Sequence, residues 1–499
     1  MTTTADDRAR YRPNPSVFDA LKSPRLLTRE VLAGLVVGLA LIPEAIAFSI
    51  IAGVDPKVGL FSAFIMAVSI AFVGGRPAMI SAATGAVALV IAPVMREHGM
   101  DYFIATVLLA GIFQVLLAVL GVAKLMRFIP RSVMVGFVNA LAILVFLAQL
   151  THLIDVPWLV YPLVAAGIVI MVLMPRITKV IPGPLVSIVL VTAVVVVFAL
   201  DVPTVGDEGE LPRSLPELFI PNVPLSWETF TIIAPFALGM ALVGLLESLM
   251  TAKLVDEITD THSRKTREAW GQGVANLLSG LFGGMGGCAM IGQTMINVKV
   301  SGARTRISTF FAGVFLLVLV VTLGDIVAII PMAALVAVMI MVCVATFDWH
   351  SIRPSTLRRM PKSETLVMVS TVVLVVLTEN LAIGVVAGVL VASVLFVRRV
   401  AHVVTVTRTL SADAVHYDVD GALFFASSND LTTQFEYAED PSRVVINMSR
   451  SHIWDASTVA ALDAIVTKYQ RHDKQVELVG LNEASDGFHG RLSGGFPPA

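Results

Sequence analysis

The feature that most constrains this chain is a succession of long apolar runs separated by short polar segments. A window of about 20 residues, enough to cross a bilayer core about 30 Å thick, finds fourteen such runs between residues 31 and 397. Hydrophobic residues make up 56% of the 499 positions and charged residues only 14%, against roughly 25% charged in soluble domains. A water-soluble core cannot enclose that much apolar surface. The sequence therefore predicts a polytopic α-helical membrane protein with the lipid bilayer as its partner.

The fourteen predicted spans fall into two halves of seven. The first half comprises residues 31–54, 58–75, 77–95, 102–123, 132–150, 156–174 and 182–200. The second comprises 229–252, 270–283, 285–298, 307–324, 326–347, 365–378 and 381–397. Spans three, nine, ten, thirteen and fourteen are short or are interrupted by glycine and proline.

Charged residues orient these spans. The N-terminal arm, residues 1–30, carries six basic residues and no apolar stretch of its own, so we expect no cleaved signal peptide. Basic residues also fill the even-numbered loops, whereas the longest odd-numbered loop, 201–228, is acidic. The positive-inside rule then places both termini in the cytoplasm, with the chain in the inner (plasma) membrane. Confinement of the basic residues to short loops argues against nucleic-acid binding.

Beyond the last apolar run the composition becomes that of a soluble α/β domain. We interpret residues 31–399 as the transmembrane domain, 400–412 as a linker, 413–485 as the α/β domain and 486–499 as a disordered tail. Within the α/β domain the pattern predicts strands at 415–419, 423–426, 444–448 and 476–479, and a helix at 457–469.

Two of the interrupted spans share a short motif. Residues 74–84 read GGRPAMISAAT and residues 286–294 read GGCAMIGQT. Each copy occupies the third position of its seven-span half, and an odd number of spans per half inverts the second half relative to the first. The sequence thus predicts the inverted-repeat plan of secondary transporters.

Such folds bind their ligand near the middle of the membrane, between interrupted helices whose N-termini present free N–H groups and positive dipole ends. Residues at these N-termini must be small to let a ligand reach the backbone. The candidates are Ser81, Ala82, Ala83, Thr84 and Gly85 in one copy, and Gly292, Gln293 and Thr294 in the other. They predict a small-anion site. The alternative is that these small residues only allow close helix packing.

Two carboxyl side chains lie within apolar spans, namely Glu44, directly after Pro43, and Glu247 in span eight. An acidic residue at membrane depth costs several kcal/mol and is usually functional or paired, yet no Lys or Arg lies near mid-depth. Burial favours the protonated carboxyl, so both are candidate proton-coupling residues. A structural hydrogen bond, for example from the backbone of span ten to Glu247, and cation coordination remain open. Phe48, one turn after Glu44, is a further candidate lining residue.

No cofactor or metal is expected beyond the coupling ion, for which a proton is the first choice and sodium the second. Cys288 and Cys343 lie within apolar segments, and we interpret each as a small buried apolar residue.

Residues 41–62 read LIPEAIAFSIIAGVDPKVGLFS, which resembles the signature of the SulP anion transporters, also called sulfate permeases. Asn297 with residues 301–306, SGARTR, resembles the end of span ten in that family. The C-terminal domain is similar to a STAS domain, the module shared with anti-sigma-factor antagonists.

This resemblance implies a core domain of spans 1–4 and 8–11, a gate domain of spans 5–7 and 12–14, a cytoplasmic STAS domain and a homodimer. It also implies small-anion substrates such as sulfate, bicarbonate, chloride, oxalate and other carboxylates. Family members commonly carry Gln at the position of Glu44, and the extra acid favours proton-linked symport. Ser457 matches the phosphorylated serine of the antagonists, which suggests regulation or a cytoplasmic partner, although Asp455 or Ser457 could simply be a helix N-cap.

The sequence therefore predicts a transporter rather than an enzyme, working by alternating access. Proton symport of a carboxylate, a dicarboxylate or a sulfate- or bicarbonate-like anion is the leading hypothesis. The alternatives are an anion exchanger or channel for chloride or bicarbonate, a nucleobase:proton symporter of the same fold, and a receptor that signals through its STAS-like domain.

Overall fold

A computed structural model describes residues 15–121, 124, 129–177, 183–378, 380–401, 404–411 and 413–493. The chain divides into two compact units, Met1–Val389 and Leu390–Ala499. The first unit is helical, and the second is built around a four-stranded sheet.

Most helices of the first unit follow the apolar runs of the sequence. Those of the first half are α1 (Val17–Lys22), α2 (Pro24–Ala52), α3 (Pro56–Val73), α4 (Gly85–Val119), α5 (Arg131–Leu150), α6 (Val160–Ile177) and α7 (Gly183–Val197). Proline in the first turn begins both α2 and α3, where its missing N–H costs no hydrogen bond. Gly99, with φ of +79°, breaks α4 into two helical segments, which match predicted spans three and four.

The second half continues with α8 (Trp227–Thr259), α9 (Lys265–Leu281), α10 (Ile291–Met295), α11 (Arg306–Thr322), α12 (Gly324–Ala328), α13 (Met332–Thr346), α14 (Pro354–Arg359), α15 (Lys362–Thr378) and α16 (Leu381–Ala401). A π-helical turn, Ile296–Val300, extends α10.

Every predicted span overlaps at least one of these elements, so the helical membrane architecture is confirmed. In the described part of the chain, six helices are long and apolar enough to cross a membrane: α2, α3, α4, α5 with the turn that follows it, α8 and α16. Helices α6, α7, α11 and α13 are apolar but shorter. Predicted spans three and ten are strand-helix combinations, and the total of fourteen crossings remains a prediction.

The two copies of the repeated motif pair with each other. Strand β1 (Ser81–Ala82) runs antiparallel to β2 (Cys288–Ala289), with Ser81 opposite Ala289 and Ala82 opposite Cys288. The backbones of the two segments approach so closely that a Cβ on Gly287 would lie 1.9 Å from the Ala82 carbonyl oxygen. Glycine in the motif therefore serves this pairing.

The second unit has the α/β architecture that the sequence predicts. Its elements are β3 (Thr405–Leu410), β4 (Val415–Leu423), α17 (Phe425–Leu431), β5 (Arg443–Ile453), α18 (Ala456–Gln470), β6 (Gln475–Val479) and α19 (Glu483–Leu492). The strand order is β3-β4-β5-β6; the first pair is antiparallel and the other two pairs are parallel.

Three boundaries predicted for this unit are wrong. Residues 405–410 of the predicted linker form β3, which pairs with β4 along its whole length. Residues 425–426 begin α17 rather than extending a strand, because the Ser427 hydroxyl accepts a hydrogen bond from Phe424 N at 3.1 Å and turns the chain. Residues 486–492 of the predicted disordered tail lie in α19, which Asn482 caps; residues 494–499 lie outside the described part.

A buried carboxylate ties this sheet to its helix. Asp440 accepts hydrogen bonds from Tyr417 on β4 at 2.6 Å, from Tyr469 on α18 at 2.5 Å and from the Arg408 guanidinium on β3 at 2.7 Å. Burial works to raise the pKa of Asp440, but these donors outweigh it and hold the pKa below its usual value. The stabilisation of the folded domain by the hydrogen bonds to ionised Asp440 is therefore present at neutral pH. It is lost as the pH falls through the lowered pKa of this carboxyl.

The strand pairing predicts a large cost for a side chain at Gly287. We expect Gly287→Ala to lower the melting temperature of the purified protein, because overpacking of this kind costs about 1–3 kcal/mol or more. Gly292→Ala is the matched control, since a Cβ there meets no atom within 4 Å. Equal melting temperatures for the two variants would contradict the close approach of β1 and β2.

Candidate functional site

Each strand of the β1–β2 pair leads into a helix, which places two helix N-termini next to the pair. Helix α4 begins at Gly85, and its N-cap Thr84 accepts a hydrogen bond from Val87 N at 3.5 Å. Helix α10 begins at Ile291. The first N–H groups of a helix have no partner within it and carry a partial positive charge, so both N-termini are suited to an anion.

Thr294 connects the two motif copies directly. Its hydroxyl accepts a hydrogen bond from Ile80 N at 3.0 Å, while Ile80 O accepts one from Met290 N at 2.9 Å. The Thr294 side chain is fully buried. In this conformation Thr294 holds the two interrupted helices together rather than facing open space.

The other small candidates divide into packed and open positions. The Ser81 hydroxyl accepts a hydrogen bond from Gln272 at 2.7 Å, and Ala82 and Ala83 are buried. Gly85 lies beneath the ring of Phe48, which a Cβ at Gly85 would approach to 2.9 Å. Gly292, by contrast, is exposed.

Glu44 lies inside α2 and is buried, with a side chain that reaches across to α10. Its Oε1 accepts a hydrogen bond from Gln293 Nε2 at 2.5 Å. The structure therefore joins a candidate proton-coupling residue to a candidate binding residue.

Glu247 lies inside α8 and is also buried. Its Oε2 accepts a hydrogen bond from the Cys288 thiol of β2 at 2.9 Å. The backbone N–H of Ala289 instead bonds the hydroxyl of Ser248 at 3.0 Å. The hydrogen bond from the span-ten backbone that was considered for Glu247 is thus accepted by the neighbouring Ser248.

Neither carboxyl has a basic partner: the ion pairs among the described residues include neither Glu44 nor Glu247. No group of three or more His, Cys, Asp or Glu side chains that could hold a metal ion occurs in the described ranges. The hydrogen-bond donors to both carboxyls are therefore neutral groups.

A cavity of about 760 Å³ reaches Ile291 at the start of α10. Four basic side chains and two acidic ones contribute to its lining: Lys124, Arg131, Lys253, Lys265, Glu257 and Asp348. Lys265 is paired with Asp256 at 2.7 Å, whereas Lys253 is exposed. A lining with excess positive charge attracts anions toward the α10 N-terminus.

Sequence reasoning missed several polar residues of this site. Asn276 bonds both backbone groups of Gly287 and donates to Gln114 at 2.8 Å. The available signal was the four-residue spacing of Glu268, Gln272 and Asn276, which marks one polar face of α9. Cys288 is buried in the hydrophobic core, as the sequence predicts, but its thiol also contacts both Glu247 and Thr84.

Ser457 lies in the second unit, exposed in the first turn of α18. The N-cap of that helix is Asp455, which accepts a hydrogen bond from Thr458 N at 3.0 Å. Ser457 is therefore not required as a cap.

Comparison with known proteins gives consistent matches over both units. The model of the sulfate permease family matches residues 27–162 and 156–371, and that of the STAS domain matches residues 405–486. YbaR of Bacillus subtilis, whose name classes it with sulfate transporters, is 51% identical over 92% of this chain and 95% of its own. BicA of Picosynechococcus, named a bicarbonate transporter, is 27% identical over 76% of this chain and 71% of its own.

A solved structure also shares the fold. Murine Slc26a9, described as an anion transporter in the inward-facing state, aligns over 98% of this chain and 91% of its own. The TM-score is 0.81 at 15% identity.

The bond between Thr294 and Ile80 predicts a stability effect. Thr294→Val keeps the shape of the side chain but leaves Ile80 N without a partner, which costs about 1–3 kcal/mol. We expect a lower melting temperature in detergent for Thr294→Val and a nearly unchanged one for Thr294→Ser, which retains the hydroxyl. If the two variants have the same melting temperature, the Thr294 hydroxyl does not hold the two motif copies together.

Proposed function

This chain belongs to the sulfate permease family, and we propose that it is a secondary active transporter that carries a small anion together with protons by alternating access. The observation that carries the proposal is the β1–β2 pair, which brings two helix N-termini together with carboxyls on α2 and α8 that have only neutral partners.

The anion site we propose lies where α4 and α10 begin. Oriented N–H groups and helix dipoles can hold an anion without a basic side chain. The exposed backbone at Gly292 gives a ligand direct access to the α10 N-terminus, and Phe48 covers Gly85 at the start of α4. The basic cavity next to Ile291 supplies a path by which anions reach this position.

Proton coupling follows from the charges in this arrangement. An anion held beside ionised Glu44 and Glu247 would be repelled, and a low dielectric strengthens that repulsion. Protonation of the carboxyls removes it, so the proton and the anion favour each other's binding. The same argument makes simple anion exchange a poorer match for this pair of acids.

The substrate class we propose is a small oxyanion: sulfate, bicarbonate or a carboxylate such as oxalate. Relatives named for sulfate and for bicarbonate support this range. We propose further that the chain forms fourteen spans, with core spans 1–4 and 8–11 and gate spans 5–7 and 12–14. The protein would then be a homodimer in the inner membrane, with both termini of each chain in the cytoplasm. There the exposed Ser457 could be reached by a regulatory partner.

The proposal is tested in proteoliposomes that contain the purified full chain. We expect labelled sulfate, bicarbonate or oxalate to accumulate when an inward proton gradient is imposed, and not to accumulate without one. Current without accumulation would indicate a channel, and gradient-independent counterflow would indicate an exchanger. Uptake of labelled uracil instead of these anions would indicate the nucleobase alternative.

Neutral variants of the two acids assign the coupling. Glu247→Gln and Glu44→Gln each remove a titratable group while keeping a hydrogen-bonding side chain. We expect at least one of them to abolish stimulation by the proton gradient, because a neutral amide cannot take up and release a proton. Glu97→Gln is a control in an exposed position near the kink of α4. Gradient-stimulated accumulation by the double variant would contradict the assignment.

The basic cavity predicts an effect of ionic strength. Lys253→Gln should lower the initial rate of anion uptake several-fold in low salt, because the cavity then attracts anions less strongly. The loss should shrink in about 1 M salt, where the screening length falls to about 3 Å. Lys299→Gln is the matched control, since Lys299 is exposed and does not line the cavity. A loss that is the same at both ionic strengths would contradict an electrostatic role.

A further inference from the structure

Cys288 occupies a position between the carboxyl of α8 and the start of α4. We propose that its thiol is a positioning group that converts protonation of Glu247 into a free hydrogen-bond donor at Thr84, beside the anion site. This inference rests on the proposed function, because it assigns the means by which proton and anion binding are linked.

Three contacts form a continuous chain. The Cys288 thiol donates to Glu247 Oε2 at 2.9 Å, and Sγ lies 3.1 Å from Thr84 Oγ1. Thr84 in turn is the N-cap of α4 and accepts a hydrogen bond from Val87 N. Glu247, Cys288 and Thr84 are all buried, so the described contacts are made in the absence of bulk water.

When Glu247 is ionised, the direction of the hydrogen bonds in this chain is fixed. A carboxylate has no hydrogen to donate, so the single thiol hydrogen of Cys288 points to Glu247. The sulfur then acts as the acceptor toward Thr84, whose hydroxyl hydrogen is directed to it. Thr84 consequently has no hydrogen left to offer an anion.

Protonation of Glu247 on Oε2 reverses the direction. The new O–H donates to the sulfur, the thiol hydrogen turns to Thr84 Oγ1, and the hydroxyl hydrogen of Thr84 is released toward the N-terminus of α4. The added proton stays on Glu247, and no covalent bond of Cys288 or Thr84 changes. One proton bound at α8 thus yields one additional donor at the anion site.

Other titratable and charged groups on these elements either have partners of their own or lie at distant or exposed positions. Glu44 of α2 is bonded to Gln293, and Glu268 of α9 accepts hydrogen bonds from Gly75 N and Gln272. Asp256, further along α8, is paired with Arg76 and Lys265. On α4, Arg96, Glu97, His98 and Asp101 lie around the kink at Gly99, more than two turns from Thr84 along the helix. Lys253, Glu257 and Lys299 lie at exposed positions of α8 and the π turn.

The chain offers a direct test, since it contains only two cysteines. Cys288→Ala removes the connecting group, Cys288→Ser keeps a group that both donates and accepts, and Cys343→Ala changes a buried cysteine of α13 that has no part in these contacts. The assay uses the full chain in proteoliposomes, with whichever of labelled sulfate, bicarbonate and oxalate the wild type takes up fastest. The measured quantity is the ratio of the apparent KM values at about pH 7.5 and pH 6.

We expect the wild type and Cys343→Ala to bind the anion more tightly at the lower pH. Cys288→Ala should reduce this KM ratio by about fivefold or more, the lower range of typical coupling between sites. Cys288→Ser should restore it. A KM ratio in Cys288→Ala within about twofold of the wild type would overturn the inference, even if the melting temperature falls, because a purely structural role changes stability without changing the coupling.

Thr84 supplies an independent test that does not depend on the folding of the Cys288 variants. Thr84→Val should reduce the KM ratio as much as Cys288→Ala does, and Thr84→Ser should keep the wild-type ratio. The double variant of Cys288→Ala and Thr84→Val should reduce the KM ratio no further than either single variant, because both substitutions interrupt the same series of hydrogen bonds. Retention of the wild-type ratio by Thr84→Val would overturn the inference. A wild type with no pH effect and no proton-driven accumulation would instead contradict the proposed function itself.

Discussion

A backbone that leaves a helix within an apolar interior must find hydrogen-bond partners inside the protein, because each group without a partner costs several kcal/mol. The two motif copies are such places, and each supplies hydrogen-bond partners to the other. Ile80 bonds Met290 through its carbonyl and Thr294 through its N–H, and β1 pairs with β2. The antiparallel direction of the pair agrees with two motif copies of opposite orientation.

This pairing determines what else can lie nearby. Because each strand leads into a helix, the positive dipole ends of α4 and α10 both lie next to the strand pair. Helix α8 supports β2 through Ser248, and α9 holds Gly287 through Asn276. Polar residues of these two helices therefore hold the strands in place. Among the described residues, the carboxyls of α2 and α8 have only neutral hydrogen-bond partners.

The sequence was sufficient to predict the helical membrane class, the repeated motif and the two buried acids, because charge and glycine are conspicuous within apolar runs. It could not show that the motif copies contact each other, which depends on tertiary packing. The sequence could not predict the hydrogen bonds of the Cys288 thiol, because a thiol resembles an apolar residue until its neighbours are known. Edge strand β3 cannot be distinguished from a linker in the sequence, because most of its side chains are exposed and give no alternating pattern.

The neutral partners of the two acids suit a switch better than a salt bridge would. A lysine or arginine beside Glu247 would hold the carboxylate in its ionised form and oppose proton uptake. A thiol and a primary amide can each donate to a carboxylate and, after reorientation, accept from a carboxylic acid. Cys288 and Gln293 can therefore keep Glu247 and Glu44 hydrogen-bonded in both protonation states. In the proposed transport cycle, neither the binding nor the release of a proton therefore leaves one of these buried carboxyls without a hydrogen-bond partner.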